Sequence, residues 1–357
     1  MASQKKLAHY EKAIKYLSRA VERSPGFVQA YIRRGDVYRK MGKFDLAIAD
    51  YNQAMRLTGY PAEAYYNRGI TYGMKGEIDK AIDDFTQAIQ YQPDCVEAYY
   101  CRGNAYSGKY EFDRAIKDCD KAIQLNPEAA NAYLIRGNIY ANKGEFDCAI
   151  TDFTKAIELQ PDAVDVYVIR AKAYKAKGNI DTAIANYSRA IELDSDYAEA
   201  YHERGNAYVL KGDFDHVLED YTKVLELEPD FGPVYYNRAL AWLQKHEWDK
   251  ARADLVSARN CGINSFRNEP QNVVNFEKSI GVKLPKDIAT MLTQRAGQTQ
   301  TPPKVKNQPF EDHAAMSAQQ EVLPTSPMWI NQFQGQREQD ALQFGVRVAL
   351  FTVISPE

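Results

Sequence analysis

Apolar residues occur in pairs of runs at helical spacing along most of the chain, and a short polar turn separates the two runs of each pair. The turns Lys75–Glu77 and Lys211–Asp213, each with a central Gly, are typical. Such spacing indicates two amphipathic helices, and the Gly marks the turn between them. Neither helix can bury its apolar face alone, so the pattern predicts helix-turn-helix units that stack on one another.

The unit has a period of 34 residues, and seven copies follow one another without a gap. A repeat of this length is typical of a solenoid. The fourth position of the repeat is always Tyr, and positions 20 and 27 are small or β-branched, which indicates close helix contacts. Position 8 is Gly in five copies, which predicts that another backbone passes close to it. The seven repeats begin at Val28, Ala62, Val96, Ala130, Val164, Ala198 and Gly232.

Small and aromatic residues at seven positions of the repeat resemble the tetratricopeptide repeat. The second repeat carries them as Tyr65, Gly69, Tyr72, Ala81, Phe85, Ala88 and Pro93. The resemblance covers roughly residues 28–262, and it extends upstream to an eighth copy that lacks its first helix. It implies an all-α fold, a right-handed α-solenoid of helix-turn-helix repeats. It also implies that the first helices line a concave groove, which often holds an extended peptide or a helix.

Four regions follow from this reading. Residues 1–27 form a half repeat with the second helix only, and residues 28–264 form the seven repeats. Residues 265–296 form a short helical cap, and residues 297–357 form a flexible linker with an apolar tail. Alternation from Phe344 to Val353 indicates a strand in that tail, which could occupy the protein's own groove, pair with a neighbour, bind a partner or have no selected function. The start in mid-repeat fits a natural cap or a chosen cut equally well.

Position 7 of the repeat departs from the family pattern, because it is Arg in every copy where the family usually has Leu. Position 23, on the second helix, is Asp in six copies and Asn186 in the fifth. We predict bidentate Arg–Asp pairs that join the two helices of each repeat. The alternative is that the seven guanidinium groups face an anionic partner. The arginines are Arg34, Arg68, Arg102, Arg136, Arg170, Arg204 and Arg238.

Composition narrows the classes of function. The net charge is −3, and no Lys/Arg cluster with interleaved aromatics occurs, so nucleic acid is not an expected partner. No apolar stretch is long enough to span a bilayer, and no signal peptide is evident, so a cytoplasmic protein is expected. The five cysteines lack CxxC spacing, which predicts reduced thiols and no metal site. Cys119 is expected in the core, and Cys101 is the candidate for an exposed redox-active thiol. No catalytic motif is present, so we expect no enzyme activity and no cofactor.

Positions 2, 5 and 9 of the first helix lie on one stripe that would face the groove. Tyr at position 5 offers aromatic contacts, and Asn at position 9 can bond a partner's backbone, although Asn after Gly also follows the family consensus. Acidic residues at position 2 favour a basic, extended partner, and the absence of Lys at position 5 disfavours a site for an acidic C-terminus. The candidate partner-binding residues are Glu63, Tyr66, Glu97, Tyr100, Asn104, Leu134, Asn138, Lys172, His202 and Asn206.

The sequence therefore predicts a non-enzymatic scaffold or adaptor that binds a peptide or protein segment in a concave groove. Two alternatives stay open. The chain could assemble with itself, because the half repeat leaves the helix face at Ala13, Ile14 and Leu17 uncapped. It could also be the targeting arm of a larger enzyme complex.

Overall fold

A computed structural model describes residues 2–263 and 270–293. These residues form seventeen α-helices joined by short turns, and no strand occurs among them. The predicted linker and tail, with the strand proposed from Phe344 to Val353, lie outside the described residues. The helices are α1 (Ala2–Arg23), α2 (Val28–Lys40), α3 (Phe44–Leu57), α4 (Ala62–Met74), α5 (Ile78–Tyr91), α6 (Val96–Gly108), α7 (Phe112–Leu125), α8 (Ala130–Asn142), α9 (Phe146–Leu159), α10 (Val164–Ala176), α11 (Ile180–Leu193), α12 (Ala198–Lys211), α13 (Phe214–Leu227), α14 (Gly232–Gln244), α15 (Trp248–Asn260), α16 (Pro270–Ile280) and α17 (Lys286–Thr293).

The chain divides within α10 into two compact units, Met1–Val166 and Tyr167–Glu357, called here the N-terminal and C-terminal units. In the N-terminal unit each helix from α1 to α9 packs on the next, and the first helices α2, α4, α6 and α8 also touch in that order. In the C-terminal unit α11 to α15 pack in chain order, and α16 packs on α17. The all-α prediction of stacked helix pairs, an α-solenoid, is confirmed.

The first helix of each repeat ends in a Schellman motif at position 15. In the first repeat the Gly42 N–H donates to the Arg39 carbonyl at 3.0 Å, and the Lys43 N–H donates to the Tyr38 carbonyl at 2.9 Å. This motif needs a positive φ, which Gly adopts without a Cβ clash. In repeats 3 and 7 position 15 is Tyr110 and His246 instead of Gly, and these residues have φ angles of 62° and 59°.

The core runs between the helices of each repeat, where positions 20 and 27, which are Ala except for Val217 and Val224 in the sixth repeat, flank the residue at position 24. Tyr51, Phe85 and Cys119 are examples of this residue, and all three are fully buried. The expectation that a backbone passes close to position 8 holds at Gly103 and Gly137, where a carbonyl oxygen is among the three atoms nearest to an added Cβ, whereas side-chain atoms are nearest at Gly35, Gly69 and Gly205. A Cβ on Gly35 would lie 2.7 Å from the Tyr51 ring, whereas a Cβ on Gly103 would lie 2.9 Å from the Ala115 carbonyl oxygen in α7. Position 8 is small mainly because the aromatic ring at position 24 packs over it.

The predicted Arg–Asp pairs are confirmed. Arg34 donates from Nε to Asp50 Oδ2 at 2.8 Å and from Nη2 to Oδ1 at 2.7 Å. The idea that the guanidinium groups face an anionic partner is therefore wrong for these pairs. In the fifth repeat Arg170 Nε donates to Asn186 Oδ1 at 2.8 Å. The same two bonds, at 2.6–3.0 Å, join Arg68 to Asp84, Arg102 to Asp118, Arg136 to Asp152, Arg204 to Asp220 and Arg238 to Asp254.

The arginines also join each repeat to the one before it. Arg102 Nη1 donates to Thr86 Oγ1 at 3.0 Å, and Thr86 lies at position 25 of the preceding repeat. A second set of ion pairs joins the turns. Lys109 at position 14 donates to Asp79, at position 18 of the preceding repeat, at 2.6 Å. Six arginines use the position-25 contact, and their acceptors are Ser18, Asn52, Thr86, Asp120, Ser188 and Thr222.

The last two described helices cover the final repeat, as the sequence predicts for a cap. Val273, Phe276, Ile288 and Leu292 are buried in one cluster with Leu255 of α15. The limits of the four predicted regions stay predictions.

Candidate protein-binding surface

The first helices α4 and α6 carry the two tyrosines that the sequence predicts for the groove. Tyr66 and Tyr100 are half-buried, and both pack against the buried Phe85 and Cys101. The Tyr66 and Phe85 ring centroids are 6.1 Å apart. Ile70 packs on the same cluster. One part of each tyrosine ring thus packs against the core, which restricts the orientation of the side chain.

The phenol groups of these tyrosines interact with neighbours on the first helix of the following repeat. The Tyr66 hydroxyl is a hydrogen-bonding neighbour of Cys101, and the Tyr100 hydroxyl is a hydrogen-bonding neighbour of Asn131. Burial raises the pKa of both phenols, so both remain neutral at physiological pH. Burial also raises the pKa of the Cys101 thiol to about 12. Cys101 is 7 % exposed, so the expectation of an exposed redox-active thiol there is wrong.

Glu97 lies beside these tyrosines and is exposed. Its carboxylate accepts a weak hydrogen bond from the Cys95 thiol at 3.9 Å, and no cationic group among the described residues forms an ion pair with it. Glu63, which occupies the same position in the preceding repeat, differs. Its carboxylate accepts from Gln29 at 3.1 Å and lies 3.7 Å from the Arg33 guanidinium. Tyr66, Ile70, Glu97 and Tyr100 together are called the tyrosine recess.

The other candidate residues in the N-terminal unit differ in exposure, and the polar ones are more exposed than the apolar one. Asn104 and Asn138 are half-buried, but Leu134 is only 4 % exposed and belongs to the core. The aliphatic residues Ile32 and Val168 at the same position are buried as well. An aliphatic side chain at position 5 is too short to extend beyond the contact between helices. The prediction that Leu134 lies in a partner-binding groove is therefore wrong.

The C-terminal unit carries four charged groups on two successive first helices, at positions 9 and 12 of the fifth repeat and positions 2 and 6 of the sixth. Lys172 Nζ donates to Glu199 at 2.8 Å and lies 3.4 Å from Glu203, while Lys175 Nζ donates to Glu203 at 2.6 Å. Burial alone would raise the pKa of Glu203, but Lys175 and Lys172 lower it far below the usual range of a glutamate. These four residues are called the charged cluster, and in it every carboxylate contacts a lysine of the preceding first helix.

His202 and Asn206 lie next to this cluster and make contacts within the protein. The His202 ring packs edge-on against Phe231 with centroids 5.5 Å apart. Burial lowers the pKa of His202, so the ring is neutral at neutral pH. The Asn206 amide oxygen accepts from the Tyr221 hydroxyl at 2.7 Å. The corresponding hydroxyl of Tyr187, beneath Lys172, is buried without a hydrogen-bond partner in the described structure. A Lys in place of Asn offers no acceptor to it.

Residues 2–263 and 270–293 contain no group of three or more His, Cys, Asp or Glu that could hold a metal ion. The helices in those same ranges include none that is long and apolar enough to cross a membrane.

Sequence models of the tetratricopeptide repeat match both compact units and the half repeat. The residues matched are 35–76 and 171–212 by one model described as "TPR repeat", and 62–95, 198–231, 103–173 and 3–27 by three described as "Tetratricopeptide repeat". The chain belongs to the tetratricopeptide repeat family. The resemblance inferred from the sequence is confirmed. Members of this family are typically non-enzymatic and bind protein or peptide partners, which supports a role as a protein-interaction scaffold.

Several solved structures are similar to parts of the chain, and one with a TM-score above 0.5 shares its fold. A structure of the APC/C hetero-tetramer Cut9–Hcn1 is similar with a TM-score of 0.53 at 18 % identity, over 72 % of this chain and 50 % of that one. A structure of MamA protein has 31 % identity and a TM-score of 0.41, over 48 % of this chain and 94 % of that one. A Thermus thermophilus protein has 24 % identity and a TM-score of 0.45, over 51 % of this chain and 99 % of that one. No curated protein matches the chain in sequence.

Position 25 of the repeat was not singled out from the sequence, although it joins neighbouring repeats. Its residue is Ser, Thr, Asn or Asp wherever another repeat follows, and Val256 occupies it in the last one. A polar residue there supplies the acceptor for the arginine of the next repeat, as Thr86 does for Arg102. The change to Val256, which is 42 % exposed, could have located the end of the repeats from sequence alone.

Proposed function

We propose that this protein is a non-enzymatic scaffold that binds an extended, basic peptide segment across the first helices of its N-terminal unit. The observation that carries the proposal is Glu97, an exposed carboxylate beside Tyr66 and Tyr100 that has no cationic partner in the part of the chain that the structure describes. A peptide cation placed there gains an ion pair, and the two rings supply apolar contact area at little entropic cost, because the core already holds them.

The amides on the neighbouring helices support the same proposal. Asn104 and Asn138 are half-buried on α6 and α8, in line with the recess along the order in which the first helices touch. An amide side chain can donate to a peptide carbonyl and accept from a peptide N–H at once. An extended backbone presents both groups at every residue, so a strand-like ligand satisfies these amides better than a helix, whose backbone groups are already paired.

The test is selection of a random peptide display library on the purified full chain, with the Tyr66→Ala/Tyr100→Ala variant used for counter-selection. We expect enriched peptides to carry Lys or Arg without helical periodicity, and to lose binding at least tenfold to the variant. Tyr16→Ala is the matched control, because Tyr16 is an exposed tyrosine on α1, outside the recess. Equal binding to the parent and to a correctly folded double variant contradicts the proposal.

Self-association is a second candidate, and the surface of the half repeat favours it. Leu7 on α1 is 48 % exposed, and Ile14, two turns further on the same side of the helix, is partly exposed. A second copy that packs on this face would bury both. Sedimentation of the parent and of Leu7→Glu between 1 µM and 100 µM, about the range in which weak protein dimers form, separates the outcomes. A mass that rises with concentration only in the parent supports the candidate, and a constant monomer mass excludes it. The cytoplasmic location stays a prediction.

A further inference from the structure

The two units treat the same pair of repeat positions differently. In the C-terminal unit Lys172, at position 9, places its ammonium 2.8 Å from Glu199, at position 2 of the next repeat. In the N-terminal unit the corresponding residues are Ile70 and Glu97. The carboxylate is kept, and the lysine is replaced by an aliphatic side chain.

A second position removes the other lysine of the charged cluster. Position 12 carries Lys175 in the fifth repeat and Gly73 in the second. Gly73 has no side chain, so nothing from this position extends toward the neighbouring helix as Lys175 does toward Glu203. The tyrosine recess thus lacks both of the internal cations that its counterpart contains.

We propose that the tyrosine recess binds a lysine side chain of a peptide partner, with the ammonium on Glu97 in the place that Lys172 takes on Glu199. This inference rests on the proposed function and names the ligand group of the same site. The charged cluster is its internal precedent: the same helix pairing already holds a lysine ammonium on a position-2 glutamate, with the lysine supplied by the chain itself.

The chemistry of the recess fits the whole lysine side chain. Ile70 and the two tyrosine rings offer apolar surface to the four-carbon stem, while Glu97 at the exposed side offers a charged acceptor to the ammonium. A cation close to a tyrosine ring gains a further electrostatic attraction. Both phenols are neutral, so they do not add a competing negative charge.

Another position-2 glutamate supports the same assignment. The Glu63 carboxylate accepts a hydrogen bond from Gln29 and forms an ion pair with Arg33, and both partners lie on the preceding first helix. Glu63 and Glu199 are therefore both met by donors from within the chain. Among the described residues Glu97 accepts only from the Cys95 thiol at 3.9 Å, which is neutral and a weak donor. Its carboxylate is therefore open to a cation that a partner supplies.

The experiment compares the peptide affinity of the parent with that of a variant whose own lysine occupies the recess. Isothermal titration uses the peptide acetyl-Ser-Thr-Ser-Lys-Ser-Thr-Ser-amide as the probe, with norleucine and arginine versions for comparison. In the variant Ile70→Lys the new ammonium should pair with Glu97, as Lys172 does with Glu199. This variant should bind the lysine peptide at least tenfold more weakly than the parent does, and Glu97→Gln should lower the affinity similarly. Ile70→Leu, which keeps the volume and adds no charge, should change the affinity less than twofold.

The outcomes separate this inference from the proposed function. Stronger binding of the lysine peptide than of the norleucine and arginine versions, lost in Ile70→Lys and Glu97→Gln, supports it. Equal affinity of parent and both variants overturns it, as does preference for the arginine peptide. If display selection yields peptides that need Tyr66 and Tyr100 while the lysine peptide does not bind, the lysine assignment fails and the proposed function stands. If no peptide depends on either tyrosine, both fail.

Discussion

The tyrosine recess and the charged cluster both lie on two successive first helices, in the N-terminal and C-terminal units respectively, and they share positions 9 and 2 of the repeat. Around each of them the fully buried position-24 side chains and the Schellman turns are alike, and the arginine at position 7 pairs with position 23, which is Asp except for Asn186 in the fifth repeat. At positions 9 and 12 the second repeat has Ile70 and Gly73, whereas the fifth has Lys172 and Lys175. At position 6 of the following repeat Cys101 corresponds to Glu203. With these changes a position-2 glutamate that has no cationic partner among the described residues becomes part of an internal ion-pair cluster. The residues that hold the repeats together are separate from those that face a partner.

The largest effect expected is on the scaffold, and it should be similar in both units. Asp118→Ala and Asp220→Ala each leave a largely buried guanidinium without its bidentate carboxylate. We expect each to lower the free energy of unfolding by about 3 kcal/mol, since breaking a buried pair by removing one partner is strongly destabilising. Urea unfolding, with amide hydrogen exchange in α7 and α13, measures it. A large loss in one unit and none in the other would show that the two scaffolds are not equivalent.

Next in size is the difference between the two groove glutamates. Glu203→Gln removes the carboxylate that contacts Lys175 at 2.6 Å, and the side chains of both are mostly buried. We expect this variant to lose about 2 kcal/mol of stability, because a charge-assisted hydrogen bond in a buried site is replaced by a neutral one. Glu97→Gln is the matched control, for which a loss below about 0.5 kcal/mol is typical of a surface position. Equal losses would contradict the view that only the charged cluster is internally paired.

The Glu203 contribution should also depend on pH. Its folded-state pKa is far below the value of about 4.3 expected in the unfolded chain, despite burial, because Lys175 and Lys172 favour the charged form. A depressed folded pKa gives stability that is complete above the unfolded pKa and is lost as the pH falls through the folded value. The stability gap between the parent and Glu203→Gln should therefore narrow below about pH 4.3. A gap that is constant from pH 7 to pH 3 would contradict the electrostatic origin.

Much of this scaffold is predictable from sequence, because the repeat gives each column seven chances to show its role. The Arg–Asp pairs follow from a departure common to all copies, and the helix pairs follow from spacing alone. The groove is less predictable, because its properties depend on single residues. Glu97 and Glu199 are equivalent in the sequence pattern, and only the neighbouring helix decides which one is paired. Leu134 shares position 5 with Tyr100, yet its shorter side chain ends in the core.

A smaller effect is expected where the Arg–Asp pattern is interrupted in the C-terminal unit. Asn186 accepts from Arg170 and donates to the Thr182 carbonyl at 2.8 Å. Burial lowers the pKa of Arg170, and no carboxylate at position 23 opposes that effect. Asn186→Asp should stabilise the fifth repeat by about 1 kcal/mol, because a charge-assisted pair is stronger than a neutral one. Asp152→Asn in the N-terminal unit should have the opposite sign. Stabilisation by both changes would contradict this account.

The smallest expected effect concerns the turns, where each unit has one repeat without Gly at position 15. Tyr110 and His246 both adopt a positive φ, and each ring packs edge-on against the aromatic residue two positions later. Tyr110→Gly and His246→Gly should each stabilise the protein by about 0.5 kcal/mol, since relief of the strained backbone slightly exceeds the lost ring contact and the greater unfolded-state freedom of Gly.

The reciprocal change is the control for these two variants. Gly144 has φ of 80°, so Gly144→Ala forces a Cβ into the same conformation and should cost about 1 kcal/mol. Thermal unfolding of the three variants beside the parent decides the matter. Because Tyr110 is 81 % exposed, nothing in the described fold covers most of its ring. A loss of stability in Tyr110→Gly but not in His246→Gly would mean that the contact with Phe112 outweighs the backbone strain, and that the turns, like the grooves, differ between the two units.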